Sequence, residues 1–151
     1  MADPDVQLVR LQLADLDEVL PIEEDLFGAE RWTRGMLEGE LAQGHYYLAA
    51  RGPDGRLLGY AGLAVMPPDE AWVNTLAVRR DAQRRGIGRR LLTGLLAEAE
   101  RRGVTRVLLE VAVTNEPAQR LYESFGFVPV GLRRGYYQPS NTDALVMLRE
   151  G

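Results

Sequence analysis

The stretch Gln83-Arg84-Arg85-Gly86-Ile87-Gly88-Arg89-Arg90-Leu91-Leu92 decides how the chain is read. Before it runs an apolar segment, Ala71 to Val78, that reads as a strand. After it, Ile87, Leu91, Leu95 and Ala99 recur every fourth residue, so a helix is expected to run to Arg102, with Gly103 as its C-cap. The run is therefore a strand-to-helix loop. Gly86 and Gly88 have no β-carbon, so backbone N–H groups can close on an anion, and the helix start adds the positive end of a dipole. Flanking arginines complete what a pyrophosphate needs. A plain strand-to-helix turn can carry the same Gly-x-Gly, however. The loop is not a dinucleotide fingerprint, because Leu91 stands at the third glycine position. It also lacks the Gly-Lys-Ser/Thr of a Walker loop.

Working outward, residues 7–13 alternate in polarity and suit a strand. A helical stretch starts at Asp15 and carries Leu16, Val19 and Leu20. Thr33 reads as the N-cap of a second helix, with Trp32 and Leu37 at the positions of a hydrophobic staple. Strands are expected at 46–50, 57–66 and 71–78, joined by turns at Gly52-Pro53-Asp54-Gly55 and Pro67-Pro68-Asp69. Beyond the central helix come a buried strand over 104–113, a short helix with Pro117 in its first turn, and two strands at 127–133 and 143–149. A loop, Gly135-Tyr136-Tyr137-Gln138-Pro139, separates those last two. The order β-α-α-β-β-β-α-β-α-β-β predicts one α/β domain over residues 1–151, with a mixed, mostly antiparallel sheet flanked by helices on both faces.

Composition removes several chemistries. The chain has no cysteine, and all eighteen of its basic residues other than His45 are arginine. Disulfides, a cysteine nucleophile, a Schiff-base lysine and a multi-histidine metal site are excluded, so no metal is expected. A Ser-His-Asp triad would need His45 with Ser124 or Ser140, and neither serine lies in a Gly-x-Ser-x-Gly elbow. No apolar run reaches the roughly 18 residues that would span a bilayer, and the acidic opening Met1-Ala2-Asp3-Pro4-Asp5 lacks the basic region of an export signal. A cytoplasmic protein without a membrane is expected. The net charge of −4 is unevenly placed: residues 1–45 sum to −8, and residues 79–106 to +6. Solvated helix faces explain part of this; an anionic ligand at one end and a cationic one at the other would explain the rest.

Two residues stand out chemically. Glu110 interrupts the apolar strand Val107-Leu108-Leu109-Glu110-Val111, where a carboxylate is costly unless paired or neutralised. It is either an outward-facing strand residue or a candidate general base. Tyr122, twelve residues later, falls on the apolar face of the next helix and can equally be core packing.

With these residues in view, the chain resembles the general N-acetyltransferase (GNAT) superfamily. Gln83-Arg84-Arg85-Gly86-Ile87-Gly88 is similar to its acyl-CoA signature, Gln/Arg-x-x-Gly-x-Gly/Ala, preceded here by Leu76-Ala77-Val78. The span from Leu109 through Asn115-Glu116-Pro117-Ala118 to Leu121-Tyr122-Glu123-Ser124-Phe125-Gly126-Phe127 is similar to the ribosomal-protein-alanine type. Arg133-Arg134-Gly135-Tyr136-Tyr137 matches an Arg-x-x-Tyr-Tyr pattern near that type's substrate site. The resemblance covers about residues 7 to 149. It implies that the backbone of Leu76, Ala77 and Val78 pairs with the pantetheine arm of acetyl-CoA. Arg84, Arg85, Gly86, Ile87, Gly88 and Arg89 would hold the pyrophosphate, and Asn115 would contact the cofactor. It implies Glu110 as proton acceptor, Tyr122 as proton donor, and Trp32, Tyr136 and Tyr137 near the acceptor. One departure is Arg31, where the family often has proline before Trp32-Thr33.

The implied function is transfer of acetyl from acetyl-CoA to the N-terminal alanine of a ribosomal protein, protein eighteen of the small subunit. A lysine side chain, another N-terminus, a polyamine or a small amine is the alternative acceptor. A non-catalytic module contacting RNA through the arginines of 79–90 is a reading of another class. The expected partner is a protein N-terminus, with no direct nucleic-acid binding, and the chain is expected to be a monomer or weak homodimer.

Overall fold

A computed structural model describes residues 5–151, so the acidic opening Met1 to Pro4 lies outside it. Seven strands form one sheet in the order β1-β2-β3-β4-β5-β7-β6. These are β1 Gln7–Arg10, β2 Tyr46–Arg51, β3 Leu57–Met66, β4 Glu70–Val78, β5 Arg106–Ala112, β6 Val128–Tyr137 and β7 Thr142–Glu150. Four α-helices accompany them: α1 Leu16–Phe27, α2 Arg34–Ala42, α3 Ile87–Arg101 and α4 Glu116–Ser124. Every strand pairing is antiparallel except β4 with β5. The mixed, mostly antiparallel sheet expected from the sequence is therefore present.

The sheet alternates its side chains between two apolar layers, as the pleat requires. In β2, Leu48 and Ala50 join the cluster under α3, built on Leu91, Leu92 and Leu95, while Tyr47 and Ala49 join the cluster under α1 and α2, built on Leu16, Val19, Ile22 and Leu37. The two helix layers thus cover opposite faces. Gly62 faces Tyr47 across β2 and β3; a β-carbon there would stand 2.1 Å from the Tyr47 ring, so only glycine leaves the ring its place.

Helix ends follow their local chemistry. The Thr33 side chain accepts from Met36 N–H at 3.2 Å, and Trp32 packs against the cluster that holds Leu37, so the cap and the staple both form. Asn115 caps α4 by accepting from Ala118 N–H at 3.2 Å, with Pro117 in the first turn.

Two expectations are corrected. β1 ends at Arg10 rather than at residue 13, because Leu13–Asp15 winds into a short 3-10 turn before α1. Gly135-Tyr136-Tyr137, expected in a loop, belongs to β6 instead. There the strand bulges between Arg133 and Tyr137, and Gly135 takes a φ of +59° while its N–H donates to Asp143 Oδ1 at 2.8 Å.

Candidate active site

The site arises where two parallel strands part. β4 and β5 pair only from Glu70–Val73 against Arg106–Leu109. Beyond that, β4 continues to Val78 and β5 to Ala112 without each other. The register between β3 and β4 slips at the same place: Leu63 faces Val73 and Gly62 faces Thr75, which leaves Asn74 as the extra residue. Such a bulge increases the local twist and reverses which face the following side chains take. Ala71 and Val73 before it, and Leu76 and Val78 after it, pack on the α3 side, whereas Ala77 turns to the α1 side. Asn74 is fixed by donating to Glu40 Oε1 at 2.6 Å.

The parting leaves a free backbone edge on β4. Arg79 N–H donates to Leu58 O at 2.8 Å, and antiparallel alternation then directs the amides of Ala77 toward β3 and those of Leu76 and Val78 outward. The outward Val78 carbonyl accepts from Gln83 Nε2 at 3.0 Å. Of the three residues expected to pair with a pantetheine arm, two therefore present backbone to the cleft.

The loop after β4 has the form its glycines suggested. Gly86 is left-handed at φ +76° and stands at the N-cap of α3; Arg84 is also left-handed at φ +64°. The Ile87 side chain is buried, so only its backbone can face a ligand. The first-turn amides of α3 have no carbonyl partner within the helix. Gly88 lies over the end of β4 and over α4: a β-carbon there would be 3.7 Å from Leu121, and 3.9 Å from both Leu76 and Val78. Arg84 and Arg89 are exposed; Arg89 donates to Ser124 Oγ at 2.9 Å and rests on the Phe125 ring. Free strand edge, left-handed glycine and open helix start together suit a ligand with an amide-bearing arm and a pyrophosphate.

The cleft contains a cavity of about 350 Å³. It brings together Leu76 from β4, Glu110 from β5, the cap Asn115 and Tyr122 of α4, Trp32 from the segment before α2, and Tyr137 from β6. Tyr136 and Val78 are not among the lining residues, nor is the phosphate loop, which runs on from the far end of β4. Glu110 pairs with Val146 of β7 on one side and faces the open cleft on the other, so it is neither on an edge strand nor turned out to solvent. Of the two fates open to a carboxylate in this strand, the structure shows pairing: Arg133 donates to Glu110 Oε2 at 3.0 Å. The same guanidinium lies 4.3 Å from the centre of the Tyr136 ring, and Tyr136 meets Tyr137 edge to face at 5.0 Å.

Tyr122 serves both of its readings. Its ring is buried, edge-on to Phe127 at 5.8 Å, yet it also lines the cavity. Burial first, and the neighbouring Tyr137 second, push its phenol well above the usual range, so it keeps its proton at neutral pH. Burial likewise pushes Tyr137 up to about 12, helped by Tyr136 and by the carboxylates Glu110 and Glu30. The cavity thus holds a carboxylate able to accept a proton and a phenol able to give one.

His45 lies 3.2 Å from Gln43 Oε1 and 3.9 Å from Glu40, while Ser124 and Ser140 are engaged with Arg89 and Glu30, so the three form no triad. The sequence did not single out Glu30, Asn74 or the Arg133–Glu110 pair. The acidic excess of residues 1–45 is partly neutralised internally: Asp15 and Glu18 pair with Arg51, Asp17 with Arg34 and Asp25 with Arg80. Glu30 and Glu110 are the carboxylates that line the cavity.

Known proteins resemble the chain over most of its length. The sequence model of the acetyltransferase (GNAT) family matches residues 10–127. The chain is 44% identical over 150 residues to the N-alpha-acetyltransferase RimI of Mycobacterium tuberculosis, covering 96% of this chain and 92% of that one. It is 39% identical over 140 residues to the [ribosomal protein bS18]-alanine N-acetyltransferase of Salmonella typhimurium, covering 91% and 92%. The crystal structure of the ribosomal-protein-S18-alanine N-acetyltransferase from Escherichia coli superposes with a TM-score of 0.87 at 32% identity, covering 96% and 93%.

Proposed function

The chain belongs to the acetyltransferase (GNAT) family, and on that premise we propose that it carries acetyl from acetyl-CoA to the N-terminal alanine amine of ribosomal protein bS18. The observation that carries the reading is the convergence of Glu110 and Tyr122 on one cavity walled by Trp32 and Tyr137.

Acetyl-CoA supplies the acetyl group as a thioester. Its pyrophosphate is held by the backbone of Gly86, Ile87 and Gly88 with Arg84, Arg85 and Arg89 around it, and its amide-bearing arm by the outward amides of Leu76 and Val78. Ala77 supports that edge through its bonds to β3, and Asn115 stands at the mouth of α4. An acceptor amine must be neutral to attack, because an ammonium has no lone pair. Glu110 takes that proton at a carboxylate oxygen, directly or through a water, while Arg133 orients the carboxylate. Tyr122, which lines the same cavity, gives its phenolic proton to the departing sulfur. With no cysteine in the chain, no acyl-cysteine forms, which favours direct transfer. Trp32 and Tyr137 shape the acceptor end, and Tyr136 packs edge to face on Tyr137.

Incubation with acetyl-CoA and an alanine-initiated peptide should place one acetyl group on residue one by fragment mass spectrometry; acetyl found elsewhere, or none, would contradict the reading. Tyr137→Ala separates acceptor from cofactor. It should raise peptide KM by about tenfold, the equivalent of about 1.4 kcal/mol. The Kd for acetyl-CoA should stay within about twofold, roughly 0.4 kcal/mol.

A further inference from the structure

Glu23 is a fully buried carboxylate that the chemistry above does not use. It sits on α1 and is not among the residues that line the cavity. A buried acid is costly without donors. Glu23 has two: the Tyr60 hydroxyl donates to Oε2 at 2.5 Å, and the backbone N–H of Trp32 donates to Oε1 at 2.8 Å. Tyr60 lies in the middle of β3 and is itself fully buried. Trp32 is the last residue before the Thr33 cap of α2, and its side chain walls the cavity.

Between these partners the chain leaves α1 at Gly28, whose φ of +56° suits glycine, and turns through Gly28–Glu30. One carboxylate therefore ties the rigid sheet to the far end of the segment that lines the acceptor side. No other side-chain hydrogen bond to the Trp32 backbone is seen among the described residues. Burial raises the Glu23 carboxyl above its ordinary range, and the bonds from Tyr60 and Trp32 oppose that rise.

We propose that Glu23 is a positioning residue for the acceptor: by accepting the Trp32 N–H while locked by the Tyr60 hydroxyl, it fixes the Trp32 wall of the cavity. The proposal rests on the acetyltransferase reading only for the identity of the acceptor. Glu23→Leu leaves the Trp32 amide without its acceptor. With the wall no longer held, peptide KM should rise about tenfold or more. The KM for acetyl-CoA and kcat should stay within about twofold. Glu23→Gln keeps an acceptor oxygen for Trp32 N–H and should restore most of the peptide KM.

Should the leucine variant not fold, Tyr60→Phe removes the lock while keeping the ring, and peptide KM should rise about threefold, roughly 0.7 kcal/mol. Trp32 and Trp72 are the two tryptophans, so in a Trp72→Phe background the emission of Trp32 reports its wall without any acceptor. A red shift in Glu23→Leu that is absent in Glu23→Gln supports the proposal even if the peptide proves to be the wrong acceptor. Unchanged emission and peptide KM in a folded variant, or a fall in kcat with KM unchanged, would overturn it.

Discussion

Glu110→Gln should lower kcat by about 100- to 10,000-fold near neutral pH, the range typical for loss of a general base. The amide keeps the size of the carboxylate and can still accept from Arg133, so the fold should persist. The lost ion pair involves a half-exposed guanidinium and is worth little to stability. The sign of the pH dependence follows from the acceptor. An α-amine has an unperturbed pKa of about 7.7–8.0, so below that most acceptor is protonated and depends on a base. Above it the free amine accumulates without help. The deficit of the variant should therefore be largest at low pH and should narrow as the pH rises past about 8. A deficit that does not vary with pH, or no deficit, would mean that Glu110 serves only to hold Arg133.

Gly86→Val should weaken acetyl-CoA binding by about 100-fold or more. The left-handed backbone costs an ordinary residue about 1–2 kcal/mol, and more for a β-branched one. A side chain at the N-cap of α3 also stands between the helix amides and an approaching phosphate, and each charge-assisted hydrogen bond lost is worth about 1.5–3 kcal/mol. Two powers of ten need only about 2.7 kcal/mol. The parent should gain thermal stability with acetyl-CoA by mass action, and the variant should lose that shift at the same ligand concentration. Wild-type affinity in the variant would remove the loop from the cofactor site. Calorimetric Kd values, compared with the unliganded Tm of each protein, separate ligand loss from loop strain.

Much of this site could be read from residue order. The Gly86–Gly88 loop, Pro117 in a first helical turn, and the spacing of Glu110 from Tyr122 are local features; the loop does open α3, Pro117 does stand in the first turn of α4, and Glu110 and Tyr122 do line one cavity. What could not be read depends on contacts distant in sequence. The cleft exists because β4 and β5 part after Val73 and Leu109, and no local signal marks a strand that stops pairing midway. The bulge at Asn74 is equally silent, although it decides that Leu76 and Val78, rather than Ala77, turn to the α3 side. Tyr136 and Tyr137 look like turn residues beside Gly135 and Pro139, yet pairing of Tyr137 with Thr142 keeps them in β6. Nothing local in the sequence marks Glu23 as a buried carboxylate. The Tyr60 hydroxyl, 37 residues away, and the Trp32 N–H together show how it can be buried.

The acceptor assignment is tested most directly by one ratio. Two peptides of matched composition are compared at pH 7, one beginning with a free alanine and lacking lysine, the other N-terminally blocked with a single lysine. At that pH an α-amine of pKa about 8 is neutral roughly 200-fold more often than a lysine of pKa about 10.4. Glu110 has correspondingly less to do. The kcat/KM for the alanine peptide should exceed that for the lysine peptide by more than about 100-fold. Equal values, or a preference for lysine, would contradict N-terminal acetylation while leaving the acetyltransferase family intact.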